Sequence, residues 1–145
     1  KAAINDEMMF KPLSFDFPDD DMAKQTEDQL LIGNELMIAP IYKQNAQGRY
    51  VYLPEEMMMI SMKSVSDYTA AVLPAGHHYV EAPLDTLVFF IRKGRAIPFG
   101  AAADNTSQID MSALRLLGYE GSTYELYSDN GYSPEPEDSL KITTL

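Results

Sequence analysis

The amino-acid sequence predicts a mainly β fold, an antiparallel β-sandwich, and three features carry that expectation. Short β-favouring runs bounded by Pro, Gly and Asn recur roughly every ten residues along the chain. Arg49–Leu53 alternates, with Val51 and Leu53 on one face and Tyr50 and Tyr52 on the other. Thr86–Arg92 is apolar on both faces, the mark of a strand covered on both sides.

The elements follow in order. Met8–Phe17 alternates weakly and is rich in aromatics, so it is expected as a strand, ended by Pro18. Asp19-Asp20-Asp21 offers N-cap side chains whose charge suits the positive end of a helix. That helix is expected to run to Ile32, with Gly33 as its left-handed stop. A strand follows over Leu36–Ile41. Gln47-Gly48 and Pro54 punctuate the alternating strand between them. Met57–Met62 is apolar without a clear period, and Met adapts to irregular gaps; it is read as a strand.

Tyr68–Leu73 and His77–Ala82 flank Pro74-Ala75-Gly76, expected as a hairpin turn. Lys93-Gly94-Arg95 turns the chain into a short strand, Ala96–Phe99, and Ala101–Met111 reads as a linker. Leu114–Tyr119 and Thr123–Ser128 read as strands around Glu120-Gly121. Asn130-Gly131 is a pair favoured in tight type I′ turns, and Lys141–Thr144 reads as a last edge strand. The sequence shows no internal repeat.

Composition narrows the function. The chain has 145 residues, 46% of them apolar, which suits one domain with a proper core or two small ones. A net charge of −11 repels phosphate backbones and anionic lipid, and no basic cluster exceeds Arg92-Lys93, so nucleic acid is excluded as a partner. No apolar run approaches the roughly 20 residues a membrane span needs, so the chain reads as soluble and no membrane partner is expected. With no Cys there is no disulfide frame, thiolate nucleophile or Cys-based metal site, which is compatible with cytoplasmic residence. The start, KAAINDEMMF, has neither an initiator Met nor an apolar signal core, and reads as the start of a fragment.

Several stretches stand in a telling order: KPLSFDFPDD (Lys11–Asp20), DQLLIG (Asp28–Gly33), NELMIAPI (Asn34–Ile41), YVYLPE (Tyr50–Glu55), APLDTLVFFIRKGRAIPFG (Ala82–Gly100) and YELYSDNG (Tyr124–Gly131). Together they resemble the C-terminal third of a glycoside hydrolase family 31 α-glucosidase. The resemblance implies that residues 1–33 are the last strand and helix of a catalytic (β/α)8 barrel. It implies that 34–101 form a proximal β-sandwich and that 102–145 begin a distal β-domain. Two departures stand out. Met57–Met59 occupies a place where many relatives carry a Trp-Tyr pair, and the segments bearing the nucleophile, the acid/base and the sugar-holding His and Arg have no counterpart here. No catalytic role is therefore carried over to any residue.

Retaining glycosidases need two carboxyl groups about 5–5.5 Å apart. Asp16, Asp19, Asp20, Asp21, Glu27 and Asp28 supply carboxylates, although helix capping and loop bonding account for most of them. If Met8–Phe17 is a barrel strand, its C-terminal end faces the active site, which makes Phe15 and Asp16 the substrate-proximal candidates. His77 and His78 project to opposite faces of a strand, so no metal is expected there. Asp129-Asn130-Gly131 lacks the rest of a calcium loop and reads as a turn. No phosphate loop or nucleophile elbow occurs, and no cofactor is expected. Tyr50, Tyr52, Tyr124, Tyr127 and Tyr132 would suit a glycan-binding face as well as ordinary sheet packing.

The reading favoured by the resemblance is the C-terminal fragment of a retaining α-glucosidase, inactive alone. Its partners would be the missing catalytic barrel and, for the parent enzyme, an α-glucoside; an oligomer stays open. The alternative is a free-standing β-sandwich that binds carbohydrate or mediates assembly.

Overall fold

The computed structural model of the chain describes residues 7–132 and 141–145. Contacts divide the chain into two compact units, Met9–Lys93 and Lys1–Met8 with Gly94–Leu145. Strands dominate both, and every strand pair is antiparallel.

The Met9–Lys93 unit is a sandwich of unequal sheets. Its larger sheet has the order β1-β2-β3-β8-β5-β6, from β1 (Phe10–Pro12), β2 (Leu30–Ile32), β3 (Leu36–Ile38), β5 (Met57–Ser64), β6 (Asp67–Leu73) and β8 (Leu87–Arg92). The smaller pairs β4 (Gly48–Leu53) with β7 (Gly76–Glu81), Tyr50 directly opposite Tyr79. Met37, Met57 and Phe90 from the large sheet meet Val51, Leu53 and Val80 from the small one in a single buried cluster. That is the alternation expected of β4: its apolar face is the core face. In β8, Phe89, Phe90 and Ile91 are all buried in succession, so both faces are covered, as the doubly apolar run predicts.

Two short helices close the cluster. α1 (Leu13–Asp16) is one turn, held by Phe17 N donating to Leu13 O at 3.0 Å, and it buries Leu13. α2 (Asp21–Gln25) is capped by Asp20, whose Oδ1 accepts from Met22 N and Ala23 N, and it buries Ala23.

The other unit holds two hairpin-like pairs. β9 (Ala96–Phe99) pairs with β10 (Arg115–Gly118), and β11 (Glu125–Ser128) with β12 (Lys141–Thr144). At the first pair the backbones approach closely: a Cβ on Gly118 would lie 2.3 Å from Arg95 O and 2.5 Å from Ala96 Cα.

Four local expectations give way. The strand expected over Met8–Phe17 ends at Pro12, because burying Leu13 folds the next residues into α1. The helix expected to reach Ile32 stops at Gln25, and Leu30–Ile32 joins the sheet between β1 and β3. Gly33 does take a left-handed φ of +60°, but it turns β2 into β3. Pro74-Ala75-Gly76 is no hairpin turn: β6 pairs with β5 and β7 with β4, so the chain passes from one sheet to the other there. Asn130 lacks the positive φ of a type I′ turn, whereas the strands expected on either side of Glu120-Gly121 are present as β10 and β11.

Candidate functional site

Arg92 closes β8 and gathers two acids from distant parts of the chain. Its Nη1 pairs with Asp16 Oδ2, and its Nε donates to Glu55 Oε1 at 2.7 Å. Lys11, in the middle of β1, donates to both Asp16 oxygens at 2.8 and 2.9 Å and to Asn34 Oδ1 at 2.9 Å. The Arg92 guanidinium also lies 5.0 Å from the centre of the Phe17 ring, a cation–π distance. The result is a half-buried clamp tying β1, α1, the loop after β4 and β8.

The clamp fixes the charge of Asp16. Burial pushes its carboxyl up, but hydrogen bonds from Lys11 and Arg92, with their positive charge, outweigh that and hold it below its ordinary value. Burial pulls the Arg92 guanidinium down, and Glu55 and Asp16 more than restore it. A carboxylate so held balances charge; it has no proton to give at neutral pH. Phe15, on α1, is 59% exposed.

Three of the other candidate acids, Asp20, Asp21 and Asp28, have structural partners too. Asp20 caps α2 and also accepts a 2.6 Å hydrogen bond from the Tyr52 hydroxyl through Oδ2. Asp20 is pushed up by burial and pulled down further by Tyr52, Ala23, Met22 and Lys24. The same bond, with burial and the Asp20 charge, raises the Tyr52 hydroxyl to about 12. Asp21 pairs with Lys24 along α2, and Asp28 with Arg49.

Of the histidines, His78 Nε2 donates to Pro74 O at 2.8 Å, and the His77 ring tilts against Tyr52 at 5.0 Å. Among the described residues no three metal-ligating side chains cluster. Asp129 Oδ1 accepts from Gly131 N, a local turn. Tyr50 and Tyr52 lie in β4, while Tyr124, Tyr127 and Tyr132 belong to the other compact unit. In one concavity Tyr50 is joined by Tyr42 and Tyr79, which sequence reasoning did not single out, and in another by Tyr42 and Tyr52. Sequence reasoning also missed Lys11, Arg49 and Arg92 as organisers. Their acidic partners lie 5 to 76 residues away, a relation that only the fold creates.

No helix among the described residues is long and apolar enough to cross a membrane. Comparison with known proteins places this geometry. A sequence profile described as the Glycosyl hydrolase family 31 C-terminal domain matches residues 6–97. The chain is 32% identical over 140 residues to Alpha-glucosidase 2 of Bacillus thermoamyloliquefaciens, covering 92% of this chain and 17% of that protein. It is 28% identical over 132 residues to Alpha-xylosidase of Saccharolobus solfataricus, covering 89% of this chain and again 17% of the relative. A family 31 dextranase of Flavobacterium johnsoniae, solved with isomaltotriose, superposes with a TM-score of 0.74 at 25% identity over 99% of this chain and 18% of its own. The chain thus spans about a sixth of the length of the curated relatives it matches. Its sheets, its order of motifs and this profile agree: the chain belongs to glycoside hydrolase family 31, as its C-terminal domain.

Proposed function

We propose that this chain is the C-terminal part of a retaining α-glucosidase that hydrolyses terminal α-linked glucose, with its sandwich supporting the catalytic barrel and supplying no reactive group. The observation that carries the proposal is the outer edge of the large sheet. β1 has no strand beyond it among the described residues, and Met9 just before it, Phe10 within it, and Phe15 and Met22 on the two helices expose apolar side chains. A free edge next to apolar side chains is a seat for further structure. The Asp16–Arg92 clamp supports the same reading, since it neutralises a carboxylate that chemistry would need responsive.

On this proposal residues 1–33 descend from the barrel's last strand and helix, 34–101 form the proximal sandwich, and 102–145 begin the distal domain. That division is one of ancestry rather than of compactness. Phe15 and Asp16, in the helix that follows β1, then stand near the substrate pocket, as lining and not as reactants. Cytoplasmic residence belongs to the same proposal and suits a chain without cysteine.

The test is glucose release from maltose. The chain alone is expected to release none, and the chain joined to the barrel-coding segment of its own gene is expected to turn over. Hydrolysis by the chain alone, or inactivity of the longer protein toward every α-glucoside offered, overturns the proposal.

A further inference from the structure

We propose a second, non-catalytic site on the Met9–Lys93 unit: a surface subsite, built on Tyr42, Tyr50 and Tyr79, that binds one glucosyl unit of an α-glucan. The choice of glucose rests on the α-glucosidase reading above; the sugar-binding geometry is independent of it. Tyr50 and Tyr79 face each other across the β4–β7 ladder, ring centres 5.3 Å apart and planes at 72°. They are 71% and 58% exposed, and Tyr42, 69% exposed, lines the same concavity. The concavity between them measures about 350 Å³, at the lower end of the range for small-molecule sites.

Its polar groups are held in place. The Arg49 guanidinium donates to Pro40 O at 2.8 Å and Asp28 O at 3.2 Å, pairs with Asp28 Oδ2, and lies 5.9 Å from the Tyr42 ring centre. Tyr42 also donates to Asp28 Oδ2, at 3.4 Å. Among the described residues every bond to this carboxylate falls on Oδ2, so Oδ1 keeps its accepting capacity. Gly48 preserves the hollow: a Cβ there would come within 2.9 Å of the Tyr79 hydroxyl.

A pyranose matches this arrangement in both parts. Its C–H face lies on aromatic rings that are apolar in body and polar at the tip. Its hydroxyls donate to a fixed, charged acceptor, which gives a stronger hydrogen bond than a neutral one. Three exposed rings around a pinned carboxylate are wasteful for a surface that only faces water, because ordinary exposed apolar groups are scattered singly.

Calorimetric titration of the chain with isomaltotriose and with maltotriose tests the site. Saturable binding is expected at about millimolar Kd, typical of a small ligand with few anchors. Tyr50→Ala and Tyr79→Ala are expected to weaken it at least about tenfold, and Asp28→Asn several-fold, because such anchors carry most of a contact's energy. Tyr42→Ala lies outside the ladder and keeps the test valid if a strand variant fails to fold. Tyr127→Ala, in the other unit, is expected to bind as the parent chain does. No saturable heat, undiminished binding by Tyr42→Ala, or loss of binding once the barrel is attached overturns the subsite. Glucose release by the longer protein reads the α-glucosidase proposal separately, so the two fail in distinguishable ways.

Discussion

Gln29 and the backbone of Tyr52 exchange two hydrogen bonds, Nε2 donating to Tyr52 O at 2.7 Å and Tyr52 N donating to Oε1 at 2.8 Å. The side-chain amide thus imitates one residue of a neighbouring strand, on the edge of β4 that no strand among the described residues covers. Gln29 is 2% exposed, so neither bond has water as a substitute. An amide is the one side-chain group that both donates and accepts in a plane as a peptide does.

Gln29→Ala is therefore expected to lower stability by about 1–3 kcal/mol, the cost of leaving buried backbone groups unmade. Gln29→Glu keeps the shape but turns a donor toward a carbonyl into a second acceptor. Its loss is expected to be larger at neutral pH and to shrink in acid, where the protonated carboxyl donates again. Urea midpoints at neutral and acid pH check both.

Asp16 links stability to acid. Its folded carboxyl titrates below the ordinary value, so its contribution is complete above the unfolded value of about 3.9 and disappears as pH falls through the folded one. Asp16→Asn is expected to be destabilised at pH 7 by about 1–3 kcal/mol, since Lys11 and Arg92 then lose their counter-charge. The gap from the parent chain is expected to narrow toward pH 3. A gap constant across that range would show that the clamp contributes packing alone.

Tyr52 acts at the other end of the scale. With its hydroxyl raised to about 12, its bond to Asp20 contributes fully below the unfolded value of about 10 and is lost as pH climbs toward 12. Ultraviolet titration of tyrosinate is expected to show a late step that Tyr52→Phe removes.

Gly118→Ala probes the other unit. The added Cβ would meet backbone at 2.3 and 2.5 Å, at a φ of +154°, so β9 and β10 must part. About 1–3 kcal/mol of destabilisation is expected, as for overpacking elsewhere. Hydrogen exchange should show the loss at Ala96–Phe99 and Arg115–Gly118, leaving β4 and β7 protected.

Legibility in the sequence followed the range of the interactions. Val51 and Leu53 betray their burial because strand alternation is a property of adjacent residues. Phe89–Ile91 does the same through its unbroken apolar run. Leu13 and Leu31 misled, because apolar residues in a short window do not say whether a turn or a sheet neighbour buries them. Pro74-Ala75-Gly76 marked a turn correctly but could not name its strands' partners. The Tyr42–Tyr50–Tyr79 concavity was hidden because its walls are Tyr42, outside the strands, and Tyr79 on the partner of β4. Three of the five expected tyrosines belong to another unit.

The passage from Leu73 to Gly76 has a mechanical consequence. Only Pro74 and Ala75 join the two layers at that corner, and His78 braces Pro74 from within β7. So short and stiff a tether leaves no slack for one layer to slide over the other. The link over 54–56 is nearly as short, so the sandwich should respond to pulling or heating as a single brittle block, and a protease nick at Ala75 would loosen one corner while the other links still hold its plates together.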